Sequence, residues 1–336
     1  MAVIKDVAKL AGVSVSTVSK YLNAPDSLKD NTRKLVEDAV QKLHYTPNLL
    51  ARNLRVQSSR TIAVIAQEIS NPFHVTIYNT IRKEAMKANL SVVLYSADDI
   101  DGDISKLFED IPINYFSGII VTYLQDVDKC IEFANRHTNT PIAVMCNDNH
   151  FFDEFDSKKL VYGDFTKATS TMAQFLVDLG KKQIAYIGIQ TRNGEKEPKY
   201  RGFAKVMKKN GLVPNQVIRL TKTFTEKTGY EATEELLAGK HQPDAIFVDT
   251  DIMAVGVLSC LKDHKIRVPK DICVTGFDDI VVARYCCPAL TTMHVPIEEM
   301  SIEAFRLMMN QINHVETERE SPKIFVPKLV VRESAL

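Results

Sequence analysis

The spacing of apolar residues changes character once along this chain, from a helical period to buried runs. Over residues 4–22 (IKDVAKLAGVSVSTVSKYL) the period is helical. Ile4, Val7, Ala8 and Ala11 share one face, and Val18 and Leu22 continue an apolar face in a second short segment. Gly12 stands where the chain must turn, and Ser14 can accept a hydrogen bond from the free N–H groups of the next helix. A polar turn-forming stretch, NAPDSLKDN, follows. The spacing then predicts a third helix over 32–43, striped by Leu35, Val36, Ala39, Val40 and Leu43. Tyr45-Thr46-Pro47 stops it, because the residue before a proline is pushed out of helical backbone. Two short helices around a Gly-bearing turn make a helix-turn-helix pattern, whose second helix enters the DNA major groove. An ordinary pair of core helices has the same pattern, so this window leaves both readings open.

From Thr61 the pattern becomes buried apolar runs alternating with amphipathic stretches. Strands are predicted at 61–66, 91–95, 118–122 and 142–146, with helices near 75–88 and 127–136. The alternation repeats with strands at 184–189, 217–220, 245–248 and 273–277, and helices near 167–179, 200–210, 229–238 and 252–263. Runs such as IAVI, GIIV and AIFV suit parallel strands covered on both faces. Two such series imply two doubly wound α/β lobes. A last helix over 297–313 and an apolar tail over 324–331 remain to complete them.

Between head and lobes lies NLLARNLR, 48–55, short, basic and helix-compatible. It reads either as a linker or as a hinge helix that orders on DNA. In the second reading Leu54 wedges into the minor groove while Asn48, Arg52 and Arg55 hold phosphates. Residues 56–60, VQSSR, are linker-like.

Charge sharpens the first window. The 336 residues have zero net charge, but residues 1–60 carry ten Lys/Arg against five Asp/Glu, leaving a net −5 on the rest. A basic segment on an acidic body is the footprint of a DNA-reading head. The N-terminus lacks the apolar core of a signal peptide, and no run approaches the ~18 apolar residues of a membrane span, so a cytoplasmic protein is expected. Six scattered cysteines show no metal spacing, and the GxGxxG, P-loop, GxSxG and HExxH motifs are absent. The chain is expected to be no enzyme and to need no metal or cofactor. Asp99, Asp101 and Asp103 lack the glycine and the final glutamate of a calcium loop, so that stretch reads as a polar loop.

Open α/β sheets bind ligands beyond the carboxyl ends of their strands. That rule points to Phe73 and His74, to Asn147 and Asp148, to the loop 190–199 with Lys199, to Phe224, to Asp249, Thr250 and Asp251, and to Asp278 and Asp279. Aromatic faces with carboxylates, amides and a lysine suit a polyol such as a sugar. Helix caps at Thr250 or Asp278, and plain core packing for the two phenylalanines, are the alternatives.

The sequence resembles the LacI/GalR (lactose repressor/galactose repressor) family of transcriptional regulators over essentially its whole length. IKDVAKLAGVSVSTVSKYLN, TRKLVEDAVQKLHYTPNLLARNL, ISNPF, FVDTDIMAVG, VTGFDD and PALTTMHVP carry the resemblance, in that order. It implies a homodimer reading a pseudo-palindromic double-stranded operator, controlled by a small effector in a core like the periplasmic sugar-binding proteins. The implied organisation is a helix-turn-helix domain over 1–47 and a hinge helix and linker over 48–60. The core is 61–336, with an N-lobe of about 61–160 plus 293–324 and a C-lobe of about 161–292 plus 325–334. By resemblance, Val15, Ser16 and Lys20 read bases, and Ser14, Thr17, Ser19 and Asn23 contact phosphates or position the helix. Asn48, Ala51, Arg52, Leu54 and Arg55 form the hinge contacts. Phe73, His74, Asn147, Asp164, Lys199, Phe224, Thr250 and Asp278 line the effector cleft. Three positions depart from the family pattern: Lys199 stands where an arginine is usual, Cys146 where an aspartate is frequent, and Thr250 where an asparagine is frequent. The rival expectations are a transport-type sugar-binding protein, or a regulator answering to a purine or a protein corepressor.

Overall fold

A computed structural model describes residues 2–23, 27–43, 45, 60–96, 104–123, 127–137, 139–147, 155–189, 197–213, 217–220, 224–239, 242–316 and 321–336. Contacts divide the chain into two units, 1–59 and 60–336.

The first unit is built on helices α1 (Ile4–Ala11), α2 (Val15–Asn23) and α3 (Asp30–Lys42). Gly12 ends α1 at φ 65, a left-handed conformation that glycine adopts without a Cβ penalty. The Ser14 hydroxyl accepts from the Thr17 N–H at 3.1 Å and so caps α2. Val7, Ala8, Ala11, Val18, Val36 and Ala39 are buried together as one small core. The third helix starts at Asp30, two residues ahead of the expected point. Extended Lys29 serves as its N-cap, its carbonyl accepting from Arg33 at 2.9 Å.

The second unit contains a six-stranded parallel sheet in the order β11-β5-β4-β3-β1-β2. Its strands are β1 (Thr61–Ala66), β2 (Ser91–Ser96), β3 (Gly118–Thr122), β4 (Ile142–Cys146), β5 (Leu160–Gly163) and β11 (Lys323–Phe325). Alternation along β1 sends Ile62 and Val64 to one face, towards helices α4 (Pro72–Lys87) and α11 (Ile297–Ile312). Ala63 and Ile65 face the opposite core, shared with α5 (Ile104–Asp110) and α6 (Val127–Arg136). The second lobe has a four-stranded parallel sheet, β7 (Val217–Leu220), β6 (Ile184–Ile189), β8 (Ala245–Val248) and β9 (Cys273–Thr275), in that spatial order. Helices α7 (Phe165–Asp178) and α8 (Pro198–Lys209) cover one face of it, and α9 (Glu226–Leu237) and α10 (Asp251–Asp263) the other.

Three elements depart from the sequence expectation. Strand β5 was not anticipated: four residues, LVYG, are too few for a period to show, yet all four are buried and pair with β4 and β11. The first lobe's strands therefore run to Gly163. Helix α5 has no counterpart in the sequence expectation, because acidic neighbours mask its anchors Leu107 and Phe108, the latter stacked on Phe133 at 4.2 Å; the polar loop expected at Asp99, Asp101 and Asp103 lies outside the described residues. The apolar tail is two short strands in different sheets: β11 extends the six-stranded sheet, and β12 (Lys328–Val330) pairs antiparallel with β10 (Thr292–His294).

Helices α9 and α10 meet backbone to backbone. A Cβ on Gly256 would stand 1.8 Å from the Glu226 carbonyl oxygen, and one on Gly229 would stand 2.1 Å from that of Met253. Neither obstacle is a movable side chain, so Gly256→Ala must push the helices apart. Overpacking of this kind costs about 1–3 kcal/mol. The urea midpoint should fall accordingly, and an unchanged midpoint would contradict the tight crossing.

Candidate functional site

Two places gather polar groups. In the first unit, Ser16 and Lys20 lie exposed one turn apart on α2, while Val18 is buried in the core behind them. Val15, Thr17 and Ser19 are half-buried. The Ser14 hydroxyl lies 2.7 Å from that of Ser16 and 2.8 Å from that of Thr17, forming a hydroxyl cluster at the start of α2. Helix N-termini attract phosphate because their first N–H groups lack intrahelical partners. The Asn23 side chain, and Asn48, Ala51, Arg52, Leu54 and Arg55, lie outside the described residues.

In the second unit the carboxyl ends of the strands converge on a buried polar cluster. Pro198 at the first turn of α8 places Lys199 inward, 7% exposed. Its ammonium donates to the Asp249 carbonyl oxygen at 2.7 Å and lies 4.2 Å from the centre of the Phe277 ring, a cation–π contact. Phe165 adds a second ring at 5.5 Å. The Tyr186 hydroxyl donates to Asp249 Oδ1 at 2.6 Å. Burial, followed by the charges of Asp249 and Glu197, raises that phenol well above its ordinary range.

His74 enters from the other lobe, on the first turn of α4, where the Asn71 side chain caps the helix by accepting from Phe73 N–H at 2.9 Å. It is 6% exposed, and its Nδ1 is fully buried with no hydrogen-bond partner among the described residues. Burial, helped by the charge of Lys199, lowers its pKa to about 4, so the ring is neutral at pH 7. Phe73 stands edge-on to His74 at 5.4 Å and packs against Tyr123 at 5.6 Å.

Asp278 completes the cluster, 6% exposed and held at φ 115. No hydrogen bond reaches its carboxyl from the described residues. Burial raises its pKa to about 7, against the opposing pull of Lys199 and with added repulsion from Asp249. Such backbone strain, about 1–3 kcal/mol, persists only when neighbours over-determine it. Here they do. Asp278 N–H donates to Met293 O at 3.0 Å. Next to it, Asp279, at φ 58, accepts from Arg332 at 2.6 Å and lies 3.0 Å from His294 Nδ1. Asp251 is fully buried and accepts from Ile280 N–H at 2.9 Å and Thr292 Oγ1 at 2.6 Å. The two aspartates of VTGFDD thus do not cap the short helical turn Val281–Arg284, which has no side-chain cap.

Other expected positions are placed as follows. Asn147 is half-buried directly after β4. Asp164 follows β5 and caps α7, accepting from Lys167 N–H at 2.9 Å. Thr250 caps α10 through its hydroxyl at 3.4 Å from Met253 N. Phe224 packs on two hydrophobic cores, and its N–H donates to Glu68 of the first lobe at 3.4 Å. Tyr123 was missed by sequence reasoning, although it immediately follows β3 and the strand-end rule applied to that strand would have found it. Burial raises its phenol well above the ordinary range, and the nearby Asp278 carboxyl adds to the effect. Tyr186 lies inside a strand, where no end rule looks.

Paired short helices with an exposed polar face, and two parallel-sheet lobes meeting at a buried polar cluster, define a helix-turn-helix regulator with a ligand-binding core. The model of "Bacterial regulatory proteins, lacI family" matches residues 3–48, and that of "Periplasmic binding protein-like domain" matches residues 173–335. The repressor PurR of Erwinia tasmaniensis is 31% identical over 99% of this chain and 97% of its own length. PurR of Mannheimia succiniciproducens is 28% identical over 99% and 98%. The chain belongs to the LacI family of bacterial transcriptional regulators. Its fold matches the Lac repressor dimer bound to operator and the anti-inducer ONPF, with TM-score 0.81, 23% identity and coverage of 100% and 99%. A LacI-family regulator from Silicibacter pomeroyi matches at TM-score 0.84, 23% identity and 99% coverage of both chains. A sucrose-bound regulator from Lactobacillus casei matches at TM-score 0.69 and 21% identity, over 82% of this chain and 99% of its own. Among the described residues no helix is long and apolar enough to cross a membrane.

Proposed function

We propose that this regulator represses transcription by binding a pseudo-palindromic operator as a homodimer in the cytoplasm. A small effector, a sugar or sugar derivative, bound between the lobes adjusts its DNA affinity. It acts by binding rather than by catalysis. The observation that carries the effector reading is the buried Nδ1 of His74, without a partner among the described residues and set beside Lys199 and Asp278. Buried polar atoms are otherwise nearly always satisfied, so an orphan at a junction of two lobes suits a site awaiting a ligand. Sucrose in the Lactobacillus casei regulator supports a sugar.

On α2, Ser16 and Lys20 are positioned to reach base edges, with Val15 beside them. Lysine donates to guanine without the bidentate fork of arginine. Effector binding shifts the lobes between two arrangements, and the hinge segments of the dimer pass the difference to DNA as a coupling energy.

Selection from a palindromic DNA library at two salt concentrations tests this. One preferred operator should emerge, with affinity falling steeply as salt rises because phosphate contacts release counterions. Lys20→Arg should change the preferred base at one symmetric pair of positions. Binding without sequence preference at either salt would refute the reading.

A further inference from the structure

The polar cluster between the lobes has a sign. Its one cation among the described residues, Lys199, already donates to a backbone carbonyl at 2.7 Å and rests on the Phe277 ring at 4.2 Å. His74 beside it is a neutral ring with an unpartnered buried Nδ1. Arg201, two residues on, reaches Thr166 on α7 at 3.3 Å. Against this stand the carboxyls of Asp278 and Asp249, with Glu197 close enough to act on Tyr186. Of these, Asp278 has no hydrogen-bond donor from the described residues. A phosphate or carboxylate entering here would leave water to face buried carboxyls, with only an engaged lysine to offset them. A hydroxyl or N–H group has the opposite fit. It can donate to Asp278, and a hydroxyl can also satisfy His74 Nδ1 in either tautomer, because it both donates and accepts.

We propose that the effector is a non-anionic molecule whose hydrogen-bond donors engage Asp278 while a neighbouring group satisfies His74 Nδ1, and that phosphorylated counterparts are refused. This rests on the reading of the interlobe cluster as the effector site, and it narrows that reading from sugars and their derivatives to ligands without a charged phosphate.

Matched pairs test it on the full chain: glucose with glucose 6-phosphate, ribose with ribose 5-phosphate, sucrose with sucrose 6-phosphate, and hypoxanthine with inosine monophosphate. Thermal shift finds binders and calorimetry ranks them at pH 7.5. The neutral member of at least one pair should bind at least about tenfold more tightly than its phosphorylated partner, the order expected when one buried polar contact is replaced by a repulsion. Asp278→Asn should weaken the neutral ligand and shrink that ratio, since the repelling charge is gone. His74→Gln, which leaves Asp278 in place, should weaken the neutral ligand and keep the ratio. A phosphorylated partner that binds more tightly than its neutral member, or no binding by any neutral member, overturns the proposal. Neutral binding that is undiminished in both folded variants overturns instead the assignment of the effector to this cluster.

Discussion

Asp278→Asn should silence the effector while sparing the repressor. Operator affinity without effector should stay near that of the parent. The change that the effector causes in the parent, about 5–150-fold in coupled systems of this kind, should vanish. The substitution keeps the shape of the side chain, and asparagine tolerates positive φ better than most residues, so the strained backbone at φ 115 has no new reason to move. It removes the charge and exchanges one acceptor oxygen for an amide that donates, so the ligand's donors meet a weaker and partly mismatched partner. The measurement is operator titration with and without the effector, alongside direct effector binding. An effector-induced shift that survives intact would make Asp278 a purely structural residue.

The second large effect is on stability against pH. Asp278, with an ordinary value of 3.8 and about 7 in the fold, keeps a proton that the unfolded chain has lost. Its contribution is present in full below pH 3.8 and disappears as pH rises towards 7. At about 1.4 kcal/mol per pH unit it amounts to on the order of 4 kcal/mol. His74 runs the other way. Its ordinary value is 6.5 and its value in the fold is about 4, so the unfolded chain takes up a proton that the folded chain refuses. That contribution is present above pH 6.5 and lost as pH falls to about 4, on the order of 3 kcal/mol. Between pH 4 and 6.5 the two slopes oppose each other and largely cancel. Each variant should uncover the other group. Relative to the parent, Asp278→Asn should lose stability on acidification from pH 6.5 to 4, and His74→Gln should lose it as pH is raised from 4 to 7. Urea midpoints across this range would show it. Slopes identical to the parent in both variants would mean that neither group titrates as described.

The α/β alternation was readable because long buried runs such as Ile62–Ile65 and Ile119–Val121 are unmistakable where both sheet faces are covered. Short elements were not: β5 has four residues, too few to carry a period, and the tail strands β11 and β12 have three each. Helix boundaries moved by one to three residues where a cap decided them, as Asn71 does by accepting from Phe73 N–H ahead of α4. For the site, the strand-end rule located Lys199, Asp278 and His74, because it depends on topology alone. What it could not supply was which carboxylate faces the cluster. Asp249, Asp251, Asp278 and Asp279 look alike in sequence, yet Asp249 is held by Tyr186, Asp251 by Ile280 and Thr292, Asp279 by Arg332, and of the four only Asp278 has no donor among the described residues. Those distinctions arise from contacts across 29 to 63 residues of chain, beyond any local pattern.

The way the tail is shared between sheets has a consequence for how the protein is made. Strand β11 closes one edge of the six-stranded sheet, and β12 pairs with β10. A few residues later the Ser334 hydroxyl, fully buried, donates to Val274 O at 2.6 Å and accepts from Thr291 N–H at 2.8 Å. Both lobes therefore wait for residues beyond 320. On a ribosome the three-helix head, whose core among the described residues draws on 4–45, can close early, since domains fold as units in order of synthesis. The lobes lack these last pairings until some 275 further residues have emerged. A nascent chain would then carry a folded three-helix head before its ligand-binding lobes are complete.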